Sequence, residues 1–86
     1  MKISIFSTKT CGYCSSLKRW LDSQSIEYTE YLVDQNQQAA QTMVKISGQT
    51  GVPFSIVEYG DGKLAKILGF DRQKFQEIFS VVNNLG

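Results

Sequence analysis

The sequence predicts an α/β domain, a mixed four-stranded sheet in the order β-α-β-α-β-β-α with helices on both faces. Three observations lead there. Four short runs rich in β-branched and aromatic residues read as strands, apolar residues at helical spacing follow the first, second and fourth of them, and a Gly60-Asp61-Gly62 turn joins the last two. The two βα units call for crossovers and parallel pairing, and the last two strands for an antiparallel hairpin. At 86 residues the chain is one domain, 1–86, with a single core to build.

The first strand is Lys2 to Ser7, apolar at Ile3, Ile5 and Phe6. A polar turn, Thr8 to Gly12, leads into a helix from Tyr13 to about Ser23, whose apolar stripe is Cys14, Leu17, Trp20 and Leu21. Ile26 to Val33 reads as the second strand. Asp34 or Asn36 caps the second helix, with Ala39, Ala40, Met43, Val44 and Ser47 on its buried side and Gly48 as a left-handed stop. Phe54 to Tyr59 and Lys63 to Leu68 are the hairpin strands. Asp71 caps the last helix, Phe70 and Phe75 stand at the two positions of a hydrophobic staple, and Phe75, Ile78, Phe79, Val82 and Leu85 form the core stripe.

Composition removes several functions. Nine Lys and Arg against eight Asp and Glu give a net charge of +1, with the signs interspersed. No basic block tracks a phosphate backbone, so no nucleic-acid partner is expected, and no polybasic or apolar run suits a membrane. The absence of histidine removes Ser-His-Asp and Cys-His nucleophile pairs together with imidazole metal sites. Two cysteines are too few for a disulfide-dense secreted scaffold, and Met1 to Lys9 has no hydrophobic signal core. The expected address is cytoplasmic, where thiols are kept reduced, and the expected state is a monomer.

The chemistry lies in Cys11 and Cys14, a Cys-Gly-Tyr-Cys at the junction of the first strand and first helix. Three residues apart on a helical start, the two side chains share a face and suit a disulfide. Cys11 stands at the helix edge, where unpaired N–H groups and the positive dipole end favour a thiolate, with Lys9 and Lys18 near enough in sequence to add to it. Cys11 is therefore the expected nucleophile and Cys14, deeper in the helix, the resolving thiol. Two inert buried cysteines would explain Cys14, which lies on the apolar stripe, but not Cys11 in its polar turn. A structural zinc wants four ligands, and one chain offers two thiols.

Tyr13 is placed to shape the approach of a substrate, and Gly12 frees the backbone between the thiols. Pro53 begins the third strand. Base rates for X–Pro bonds favour trans, and Val52 would present its backbone to an extended thiol peptide beside Cys11.

Lys9-Thr10-Cys11-Gly12-Tyr13-Cys14, then Thr50-Gly51-Val52-Pro53, then Gly69-Phe70-Asp71, resemble glutaredoxin motifs in the right order over essentially the whole chain. Ser47 to Pro53 and Gly69 to Arg72 look most like the small bacterial glutaredoxin-like proteins. The resemblance implies a thioredoxin fold with a cis Val52–Pro53 bond. It implies reduction of protein disulfides or glutathione mixed disulfides by Cys11, with Cys14 resolving and glutathione as reductant, and no tightly bound cofactor. Glutathione would lie along Val52 and Pro53 near Tyr13, its glycyl carboxylate near Lys9 and Gln49 and its γ-glutamyl end at Phe70 and Asp71, where free helix N–H groups take a carboxylate.

The sequence departs from that pattern at Leu68-Gly69, where many glutaredoxins have Gly-Gly, at Arg72 in place of a second acid, and at Gln49 where some carry Arg. These departures leave room for a redoxin recycled by thioredoxin reductase. Gly12 in place of the usual proline admits a third reading, a glutathione-ligated [2Fe–2S] dimer held through Cys11.

Overall fold

The computed structural model describes residues 1–85, with side chains through Val82. Its elements are β1 (Lys2–Ser7), α1 (Gly12–Ser23), β2 (Thr29–Leu32), α2 (Gln37–Ser47), β3 (Phe54–Tyr59), β4 (Lys63–Leu68) and α3 (Arg72–Leu85). They form a four-stranded sheet ordered β2-β1-β3-β4.

β1 alternates as its sequence requires. Ile3 and Ile5 point to one face, where they meet Leu17 and Leu21 of α1, Val57, Ile67 and Phe75 of α3. Phe6 points to the other and packs with Phe54, Ala39 and Met43 under α2. The sheet therefore carries helices on both faces. Burying each of these large side chains stabilises the fold by about 1.5–3 kcal/mol. Trp20 closes the first core at its edge, its ring about 6 Å from those of Phe70, Phe75 and Phe79.

β1 and β2 pair in parallel, Ser4 opposite Thr29. The second βα unit departs from the expected parallel pairing: β3 runs antiparallel to β1, with Phe54 opposite Phe6 and Lys2 opposite Glu58. The connection through α2 returns the chain to the end of the sheet at which β1 finishes, so β3 must run back along it. Periodicity identifies a strand but carries no sign for its direction. The β3–β4 hairpin closes at Tyr59 and Lys63, with Gly60 and Gly62 at φ 62° and 73°.

Three local expectations are corrected. β2 is shorter than Ile26 to Val33, because the Ile26 N–H closes the end of α1 on the Leu21 carbonyl at 3.0 Å. Val44 is 43% exposed: α2 buries the narrower stripe Ala39 and Met43. The Val52–Pro53 bond is cis, against the base rate and as the resemblance implied. Of the two candidate caps for α2, Asn36 takes the Ala39 N–H at 3.1 Å. Asp71 caps the last helix through the Lys74 N–H at 3.2 Å. On the α3 stripe Phe75 is buried and Ile78, Phe79 and Val82 are half-buried; Leu85 lies outside the residues whose side chains are described.

Candidate active site

Where β1 ends, the chain turns through Thr8 to Thr10 and enters α1 with Cys11 as its N-cap, in extended backbone at φ −82°, ψ 113°. The Cys11 carbonyl accepts the Ser15 N–H at 3.2 Å, while its sulfur accepts the Cys14 N–H at 3.1 Å. The sulfur thus does what a Ser or Asp oxygen does at other helix starts, satisfying one of the orphan amides of the first turn. Cys14 lies one turn in, fully buried, and Cys11 is half-buried. The two are joined as a disulfide with their Cα atoms 5.2 Å apart. The two thus differ in burial: Cys14 is closed to solvent and Cys11 is partly open.

Facing the pair is the segment before β3. The Val52 carbonyl oxygen lies 4.0 Å from Cys11 Sγ, and Val52 is half-buried. Pro53 is buried, and its carbonyl accepts the Gly69 N–H at 2.7 Å, which ties the approach to α3 to the same segment. Gly69 has φ 81° there, a backbone that favours glycine. Cys11, Cys14, Val52 and Pro53 are therefore brought together directly, and Phe70 and Asp71 join them through Gly69.

The remaining candidates are placed around this centre. Tyr13 is 72% exposed on the first turn of α1. Lys9 is exposed, and its backbone N–H donates to Asp34 Oδ2 at 3.2 Å, anchoring the turn. Gln49 is half-buried, with its side-chain amide bonded to Ser47 and Gly51. Phe70 packs on Trp20. Lys18, read as near enough in sequence to add to the Cys11 site, pairs its ammonium with Glu30 at 2.6 Å.

Sequence reasoning missed two features. Glu30 of the edge strand β2 also accepts the buried Ser7 hydroxyl of β1 at 2.5 Å, joining both strands to α1 through Lys18. Arg72 lies over the Trp20 ring, 5.3 Å from its centroid. The only signal for the first was an acid inside a Thr- and Tyr-rich strand, which means little until strand pairing is known.

Among the described residues no cluster of three or more His, Cys, Asp or Glu is placed to hold a metal ion. Cys11 is bonded to Cys14. The donor set of this chain thus does not fit an iron–sulfur centre held by one chain. Among the same residues no helix is long and apolar enough to cross a membrane.

A cysteine pair at a strand-to-helix junction, opposite a cis-proline on a mixed four-stranded sheet, defines a thioredoxin-fold dithiol redox protein. The comparisons with known proteins narrow this. The Glutaredoxin family model matches residues 3–57. A glutaredoxin-like 8.6 kDa protein in the rubredoxin operon of Clostridium pasteurianum is 30% identical over 76 residues, 88% of this chain and 95% of that protein. Glutaredoxin 3 of Escherichia coli K12 is 35% identical over 51 residues, 59% of this chain and 61% of that one. Among solved structures, the glutaredoxin-like NrdH-redoxin of Escherichia coli superposes with a TM-score of 0.74 at 23% identity, over 91% of this chain and 95% of that chain, a likeness of fold. The chain belongs to the glutaredoxin family, and its Cys11–Cys14 pair is a thiol–disulfide oxidoreductase site.

Proposed function

We propose that the protein reduces protein disulfides and glutathione mixed disulfides by dithiol exchange, with Cys11 as nucleophile, Cys14 as resolving thiol and glutathione as reductant. The observation that carries this is the Cys11 sulfur, half-buried at the N-cap of α1, bonded by the Cys14 N–H at 3.1 Å and 4.0 Å from the Val52 carbonyl. An N–H donor and a helix N-terminus both favour the thiolate of the reduced form, which is the attacking species.

The exchange runs in two displacements. The Cys11 thiolate attacks one sulfur of the substrate disulfide, that S–S bond breaks, and the other substrate sulfur leaves as a thiolate. Cys14, giving its proton to solvent, then attacks Cys11 in the mixed disulfide and expels the second sulfur. Two electrons pass to substrate and the Cys11–Cys14 disulfide remains. Two molecules of glutathione reverse the change and leave as glutathione disulfide. Glutathione would extend along Val52, with Lys9 near its glycyl carboxylate. The N–H groups of the capped α3 start and Asp71 would take its γ-glutamyl end.

A second reading, recycling by thioredoxin reductase, is favoured by the side chains that crowd the glutathione path. Leu68 is 57% exposed at the end of β4, and Arg72 is held over Trp20 where a second acid would add an acceptor. The solved structure of NrdH-redoxin describes a thioredoxin-like activity profile for that protein, which supports the same reading. The test is NADPH oxidation with a disulfide substrate, coupled either to glutathione and its reductase or to thioredoxin reductase. Turnover with glutathione is expected. Turnover with thioredoxin reductase alone would overturn glutathione as reductant and leave Cys11 and Cys14 in their roles.

A further inference from the structure

Gln49 lies between α2 and β3, and its side-chain amide is spent inside the protein. Its Nε2 donates to Ser47 Oγ at 3.1 Å and to the Gly51 carbonyl at 3.2 Å, while its Oε1 accepts the Gly51 N–H. A primary amide has two hydrogens, and both are committed. Ser47 is fixed in turn, its hydroxyl reaching the Met43 carbonyl of α2 at 2.6 Å. One side chain thus satisfies both backbone polar groups of Gly51, as a neighbouring strand would. The fit is close: a Cβ on Gly51 would stand 2.7 Å from Gln49 Oε1. The next residue differs. Among the described residues the Val52 N–H and C=O have no backbone partner, and Cys11 Sγ lies 4.0 Å from that carbonyl.

We infer that Gln49 is a positioning residue for disulfide exchange: by holding the Gly51 carbonyl it fixes the Gly51–Val52 peptide, and with it the direction of the Val52 N–H with which an extended substrate pairs beside Cys11. The inference rests on the disulfide-reduction reading above and deepens it. Gln49 acts through Gly51 rather than on the glycyl carboxylate that the resemblance assigned to it, since both hydrogens of its amide are used within the protein. The Gly51 C=O and the Val52 N–H belong to one planar trans peptide and point in opposite directions, so a bond to the first sets the second. With the Gly51 carbonyl bonded to Gln49, the Val52 N–H is held on the other side of the chain. Because glutathione and a protein segment meet the same backbone, the effect does not depend on which of them carries the disulfide.

The experiment is single-turnover oxidation of the pre-reduced protein by a glutathione mixed disulfide and by a disulfide-bonded protein. It compares wild type with Gln49→Ala, Ser47→Ala and the double variant, and follows Gly51 amide exchange by NMR. Gln49→Ala is expected to weaken half-saturation about fivefold for both substrates, the effect of about one net hydrogen bond, with the limiting rate within about twofold. Ser47→Ala should give part of that loss, the double variant no more than Gln49→Ala, and the Gly51 amide should exchange at least about tenfold faster in Gln49→Ala. A loss confined to the glutathione substrate, additive effects of the two substitutions, or a Gly51 amide unprotected in wild type would overturn the inference while Cys11 chemistry stands. Wild-type protein that reduces neither substrate would sink the oxidoreductase reading and this inference with it.

Discussion

Glu30→Ala tests whether the helix that carries both cysteines is anchored from beneath. Glu30 Oε2 takes the Ser7 hydroxyl at 2.5 Å and the Lys18 ammonium at 2.6 Å, so one oxygen joins β1, β2 and α1 one turn beyond Cys14. Burial by itself raises the Glu30 carboxyl, but hydrogen bonds from Lys18 and Ser7 and the Lys18 charge together hold it below the usual glutamate range. Removing the carboxylate leaves the fully buried Ser7 hydroxyl without its acceptor, at a cost of about 1–3 kcal/mol. Loss of the partly exposed pair with Lys18 adds about 0.5–1 kcal/mol. The sum, about 1.5–4 kcal/mol, is a large share of the roughly 4–13 kcal/mol expected for a domain this size. Urea unfolding of the oxidised protein at neutral pH reads it. Ser7→Ala/Glu30→Ala should cost less than the two single changes added, because the second substitution removes the orphaned hydroxyl. The sign with pH follows from a folded value below the unfolded one. The carboxylate's contribution is complete above the unfolded glutamate value of about 4.3 and is lost as pH falls through the lower folded value. The gap between wild type and Glu30→Ala should therefore be flat near neutrality and shrink in acid. A cost under about 0.5 kcal/mol, or a gap unchanged at low pH, would refute the anchor.

Cys11→Ser should abolish reduction of every disulfide, whereas Cys14→Ser should impair protein disulfides and spare glutathione mixed disulfides, because a free glutathione thiolate can attack the Cys11–glutathione bond in place of Cys14 and leave as glutathione disulfide. Parallel initial-rate assays check this, and equal losses in both variants would contradict the division of roles. Leu68→Gly should lower the KM for a glutathione mixed disulfide about threefold and leave the protein substrate unchanged or weaker, since about 0.6 kcal/mol is enough for that factor. The Leu68 side chain is exposed and stands 3.7 Å from where a Gly51 Cβ would be, on the glutathione path. Phe75→Ala, at a fully buried position packed on Trp20 and Phe79, should cost about 3–5 kcal/mol and lower Tm by at least about 12 °C in calorimetry.

What could be read from the sequence divides along a physical line. Local determinants were legible: the alternation of Ile3, Ile5 and Phe6, the stripe Cys14, Leu17 and Leu21, the Gly48 stop, the Gly60–Gly62 turn and the Asp71 cap all act within a few residues. So was the placement of Cys11 at a helix edge, since a strand followed by a helix leaves its junction residue as the N-cap. Non-local facts were not legible. The direction of β3, the exposure of Val44 and the capture of Lys18 by Glu30 each depend on which element lies opposite, and no residue spacing contains that. Gln49 shows the difference within one residue. Its place near the site could be read, but the commitment of its amide to Gly51 depends on how the chain turns after Gly48.

The misjudged direction of β3 is also what makes the site. β1 ends near Cys11, and β3 begins just after Pro53. With Phe6 opposite Phe54, an antiparallel register puts those two ends side by side. Had β3 run parallel to β1, its first residue would lie at the far end of the sheet, about 17–20 Å away at 3.4 Å per residue over a strand of this length. Val52 could then present nothing to a substrate held by Cys11. The hairpin that follows carries the consequence further: Leu68 pairs with Phe54, so β4 ends where β3 begins and delivers Gly69 to the Pro53 carbonyl and α3 to the same end. Three chain segments far apart in sequence are thus brought to one end of the sheet because a single strand turns back. A substitution that disturbs the β1–β3 register should therefore impair exchange with both cysteines intact.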